Sequence, residues 1–63
     1  MQIQTERGLI FVEKFIDTPE EAQNYGASYS FTSHDINCDC YSRVTGENRR
    51  VFYLLAKGDK VVR

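Results

Sequence analysis

No tryptophan occurs in these 63 residues, and histidine, proline and methionine occur once each. A single histidine leaves hydrolytic and metal-dependent chemistry short of groups. Ser33-His34-Asp35 has the letters of a catalytic triad, yet consecutive residues point in different directions, and a relay needs members brought together from separate segments. Turn capping accounts for all three. Cys38 and Cys40 are the only cysteines, and a bond across one intervening residue would close almost no loop and stabilise little. With His34, Asp35 and Asp39 they amount to half of a zinc site, because no second Cys or His pair stands elsewhere. As small apolar side chains on a core face they need no metal, although an intermolecular site or disulfide in a homodimer stays open. The four glycines are isolated, so neither a phosphate-cradling loop nor a dinucleotide fingerprint is present. Glu20 and Glu21, adjacent carboxylates, are explained by a helix start. The longest apolar run, residues 51–56, has six members, against about 20 for a membrane helix, and no charged-then-apolar leader opens the chain. Without a leader or a disulfide framework, the expectation is a cytoplasmic protein. It should have no enzymatic activity, no cofactor or metal, and no membrane partner.

What is present suffices for one small domain over residues 1–63. Apolar residues make up 41% and charged residues 27%, a balance that folds. A core of this size supplies only about 3–5 kcal/mol net, which makes a partner or self-association the expected source of further stability. Residues 1–6 alternate weakly, and Arg7-Gly8 offers a tight turn or a bulge. Residues 9–16 are rich in β-branched and aromatic side chains on both parities, which places them inside a sheet. Thr18, Pro19 and Glu21 are the cap, first helical residue and capping-box partner of a helix that starts at Pro19. Gly26 stops it after about two turns, too short to persist unless it packs on the sheet.

Strict alternation over residues 27–32 puts Ala27, Tyr29 and Phe31 on one side and Ser28, Ser30 and Thr32 on the other. A further strand follows, with Ile36, Cys38, Cys40, Ser42 and Val44 on one parity. Gly46-Glu47-Asn48 fits a three-residue hairpin loop with Asn48 at positive φ. That loop sets Val44 opposite Arg50, Ser42 opposite Phe52, Tyr41 opposite Tyr53 and Cys40 opposite Leu54. Residues 49–56 are the most apolar stretch and so a central strand, and Lys57-Gly58-Asp59 turns into a last strand over residues 60–63. The expected fold is α+β: four or five mainly antiparallel strands, one short helix on one face and a C-terminal three-stranded meander.

Net charge is −1, but it is unevenly placed. Residues 1–39 hold two basic against seven acidic side chains, and residues 40–63 hold six basic against two acidic. On the solvent parity of the meander, Tyr41 and Tyr53 with Arg43, Arg49 and Arg50 gather the residue types that dominate interface hot spots. A cross-strand aromatic pair that merely stiffens the sheet would explain the tyrosines equally well. The expected function is a non-enzymatic protein-binding module. By analogy of size and composition alone, it would be a small inhibitor or antitoxin-like factor of phage or mobile-element type that occludes a macromolecular partner. The alternative is single-stranded nucleic-acid binding through the basic meander, with tyrosines stacking on bases. A homodimer formed through an exposed strand edge is compatible with either.

Overall fold

The computed structural model describes residues 1–57. In chain order the elements are β1 (Gln2–Thr5), β2 (Gly8–Ile16), α1 (Pro19–Asn24), β3 (Ser28–Ser33), β4 (Cys38–Val44) and β5 (Arg50–Ala56). The strands form a single five-stranded sheet of order β1-β2-β5-β4-β3. The last strand expected from the sequence, residues 60–63, lies outside the described residues. The meander among the described residues is β3-β4-β5, one strand earlier than expected.

Local chemistry sets the boundaries. Glu6 and Arg7 form the two-residue turn between β1 and β2, where Thr5 pairs with Gly8 and the Thr5 hydroxyl donates to the Gly8 carbonyl at 2.9 Å. Thr18 caps α1, accepting weakly from the Glu21 N–H at 3.4 Å, while the Glu21 carboxylate reaches one residue further back, to the Asp17 N–H at 2.6 Å. At the other end Ala27 N–H donates to the Ala22 carbonyl and Gly26 N–H to the Gln23 carbonyl. Gly26 has φ 81°, so this is a Schellman stop. The β4–β5 loop is as expected: Asn48 N–H donates to the Thr45 carbonyl, Asn48 has φ 63°, and all four forecast cross-strand pairs are found. Ile36 and Asn37 fall in the turn before β4 rather than in the strand, because Asn37 is left-handed at φ 56°.

One expectation is corrected. The sheet is mixed, since β2 and β5 run parallel. The helix between β2 and β3 carries the chain back, so β3 re-enters the sheet in the direction of β2. Two hairpin reversals then leave β5 aligned with β2, beside which it inserts. A helical crossover is what parallel alignment requires.

Two bulges decide which side chains share a face. Tyr29 pairs with Tyr41 while Phe31 pairs with Cys40, so Ser30 is an extra residue and the alternation of residues 27–32 breaks there. Tyr29 therefore lies on the helix side and Phe31 on the opposite side. Glu13 does the same in β2, turning Ile16 toward the helix. The face away from the helix holds Ile10, Val12, Phe31, Cys38, Cys40, Phe52 and Leu54, with Ile3 and Ile36 against them. No helix covers this cluster among the described residues; the sheet curls over it. Phe31 and Phe52 meet edge to face at 6.2 Å although β4 separates their strands. The two sheet edges are joined by Glu6, whose carboxylate accepts from the Ser33 hydroxyl at 2.7 Å and the His34 N–H at 2.8 Å. A smaller cluster of Ile16, Ala22, Ala27 and Tyr53 fixes the helix to the other face. No helix among the described residues is long and apolar enough to cross a membrane.

Candidate functional site

All four tyrosines of the chain converge on the helix side of the sheet. Tyr29, Tyr41 and Tyr53 come from β3, β4 and β5 in adjacent register, and Tyr25 arrives from the C-cap of α1. Tyr25 stacks on Tyr53 at 4.9 Å and 12°, and Tyr29 meets Tyr41 edge to face at 5.8 Å. Both geometries are those the ring quadrupole favours.

Each hydroxyl with a partner is placed by it. The Lys14 ammonium donates to the Tyr25 hydroxyl at 2.9 Å, and this bond raises the Lys14 pKa. Arg43 Nε donates to the Tyr53 hydroxyl at 2.9 Å. Thr32 spends its one hydroxyl hydrogen on Asp39 at 2.7 Å, so in the 2.7 Å contact between Tyr29 and Thr32 the tyrosine is the donor. Lys57 sits 3.8 Å from the same Asp39 carboxylate. Burial, and then the Asp39 charge, push the Tyr41 pKa upward.

The five residues expected to form one patch are divided by the sheet. Tyr41 and Tyr53 are side by side and Arg43 borders them, as the register implies. Tyr53, however, is 0% exposed beneath Tyr25 and Ala22, so it orders Arg43 and supports the surface without contributing to it. Arg50 lies on the opposite face, where its Nη1 donates to the Ser42 hydroxyl at 3.1 Å. Arg49 stands over Phe11, 5.9 Å from its ring centre. Tyr25 and Tyr29, 39% and 57% exposed, are the surface aromatics that the sequence reading missed. The bulge that redirects Tyr29 and the helix end that positions Tyr25 leave no trace in the two-residue period of the strand.

Cys38 and Cys40 point into the curled core as free thiols. Cys40 is 0% exposed, and burial pushes its pKa up to about 11. Cys38 is raised for the same reason. Thiols held protonated in this way are poor nucleophiles. Among the described residues, no three His, Cys, Asp or Glu side chains converge as metal ligands would.

A groove of about 610 Å³ opens at the sheet edge between the C-cap of α1 and the start of the β4–β5 hairpin, and its lining comes from both faces of the sheet. Tyr25, Tyr29, Ser28, Ser30, Ser42, Arg43 and Arg50 line it, with Gly26 and Val44. No family model, curated protein or solved structure matches this chain.

Proposed function

We propose that this chain is a non-enzymatic protein-binding module and that its docking face is built from Tyr25, Tyr29, Tyr41 and Arg43. The observation that carries the reading is the convergence of every tyrosine on one face, with two rings substantially exposed and an arginine fixed at their border. Tyrosine and arginine contribute most per contact at interfaces, since they offer large area with few rotatable bonds and a polar end. Bonding within the cluster holds the rings before a partner arrives, so little side-chain entropy is lost on docking. A small rigid face of this kind suits an inhibitor or antitoxin-like factor that acts by occupying a macromolecular surface. Cytoplasmic residence and self-association through a sheet edge remain part of the same proposal.

Single-stranded nucleic-acid binding is less well supported, because the chain carries a net charge of −1 and Asp39 and Glu47 interrupt the basic residues of the β4–β5 hairpin. The test is affinity isolation from the native cells with the wild-type chain and with a Tyr29→Ala/Arg43→Glu double variant whose fold is verified by NMR. Loss of the captured protein supports the reading. Capture that persists undiminished on the folded variant refutes it. Nucleic acid captured instead, and released steeply as salt rises, would favour the alternative.

A further inference from the structure

The groove is lined by two guanidinium groups and, among the described residues, by no carboxylate, although the charge of Glu13 is near enough to Arg43 to help raise its pKa, after the bond to the Tyr53 hydroxyl. Both of its guanidinium groups are aimed by neutral partners: Arg43 by the Tyr53 hydroxyl at 2.9 Å, Arg50 by the Ser42 hydroxyl at 3.1 Å. Each uses one nitrogen in doing so and retains further N–H donors. The one ion pair within 4 Å among the described residues is elsewhere, between Lys57 and Asp39. Ser28, Ser30 and Ser42 line the same groove. A volume of about 610 Å³ falls within the roughly 300–1,000 Å³ usual for binding sites.

This chemistry recognises anions, and planar guanidinium donors match carboxylates in particular. A nucleic-acid occupant would need stacking platforms as well as phosphate contacts. Here one ring face of Tyr25 is taken by Tyr53, and the chain as a whole is at −1. An additional β-strand is also disfavoured. Although β3 is the edge of the sheet, the bulge at Ser30 interrupts its ladder, and bulged edges pair poorly. The occupant must therefore be held by side chains.

We infer that this groove binds a carboxylate-rich segment of a partner protein, with acidic side chains bridging Arg43 and Arg50 across the end of β3 and β4. The inference rests on the protein-binding reading and names the chemistry of the partner. Arg50 distinguishes the two, because it lies in the groove but outside the tyrosine face.

The experiment is an NMR titration of the ¹⁵N-labelled full chain with an end-capped decapeptide of alternating Glu and Thr. Parallel titrations use the Lys–Thr counterpart, a ten-nucleotide thymidine strand and inorganic phosphate. The Glu–Thr peptide is expected to shift the amides of Ser28, Tyr29, Ser30 and Ser42 saturably, with a Kd below about 1 mM. Arg50→Gln should weaken it about tenfold, the loss expected for one charge-assisted contact, and the same spectra verify that the variant is folded. Arg43→Lys serves as a second variant that keeps the charge, and a several-fold loss there supports recognition by the planar group. Equal binding of the lysine peptide, tighter binding of the oligonucleotide, phosphate matching the peptide, or no groove shift at 1 mM peptide each overturns the inference. If the peptide fails while partner capture still depends on Tyr29 and Arg43, the groove assignment falls and the protein-binding reading stands. If capture is also insensitive to those residues, both fall.

Discussion

Arg43 Nε and the Tyr53 hydroxyl, 2.9 Å apart, join a solvent-facing cation to a fully buried ring. Tyr53 pairs with Tyr41 on one side and lies beside Lys14 of β2 on the other, while Tyr25 covers it. The ring is therefore the support on which the exposed surface stands. Tyr53→Phe keeps the stack and removes only the hydroxyl, so an expected loss of about 1 kcal/mol should come with increased motion of Arg43, measured by urea denaturation and Nε relaxation. Tyr53→Ala opens a cavity under α1 and should cost about 3–5 kcal/mol. A cost below about 1 kcal/mol for the alanine variant would contradict the full burial of Tyr53.

Glu6 gives the fold an acid limit. Bonds from the Ser33 hydroxyl, first, and the His34 N–H lower its pKa from 4.5 to about 2. A carboxylate whose pKa is depressed by folding stabilises the folded state above its unfolded pKa, and that contribution fades as pH falls from about 4.5 toward 2. Wild-type denaturation midpoints should therefore drop across this window. Glu6→Gln should be less stable than wild type at pH 7 and show a flatter profile below pH 4.5. Parallel profiles for the two chains would count against the edge-to-edge bond.

Gly26 ends the helix at φ 81° with open space around the position of a Cβ. The penalty for a side chain is thus purely conformational. Gly26→Ala should lower stability by about 1 kcal/mol, and Gly26→Asn by less, since asparagine tolerates the left-handed region. Thermal melts of the three chains check the order.

The core thiols should be silent in the native state. Cys40, fully buried with its pKa near 11, reacts only when the sheet opens. Iodoacetamide at pH 8 is expected to leave it unmodified in buffer and to alkylate it in urea, followed by mass spectrometry. Rapid native labelling would show that Cys40 is not sealed in the core. On the same face, Leu54→Ala removes a fully buried side chain from the middle strand and should cost about 2–5 kcal/mol.

Much of this architecture is legible in residue order because it depends on short-range chemistry. The Thr18-Pro19-Glu21 start, the Gly26 stop, and the Asn48 loop with its register from Val44–Arg50 to Cys40–Leu54 all follow from neighbours within a few positions. The parallel pairing of β2 with β5 does not, since it joins Val12 to Phe52 across 40 positions. The clue was the helix between two strands, which implies a crossover. Nor does alternation survive an inserted residue. Ser30 and Glu13 each shift the parity, so Tyr29 and Phe31 part company and Ile16 turns under the helix. Of the candidate site, the neighbourhood of Tyr41, Tyr53 and Arg43 is legible from the hairpin register, while the burial of Tyr53 and the exposure of Tyr25 depend on where a two-turn helix comes to rest.

Since β5 is inserted between β2 and β4, neither flank of the sheet has its native neighbour until that strand has been synthesised. On the ribosome, the chain through Val44 can form two local hairpins and a fraying helix, with their apolar sides unmatched. Commitment to the native state must wait for residues 50–56 to emerge, and the non-local closure that follows is the slow kind. Translation pauses or premature stops before that point should therefore leave a sticky, protease-sensitive nascent product rather than a smaller working one.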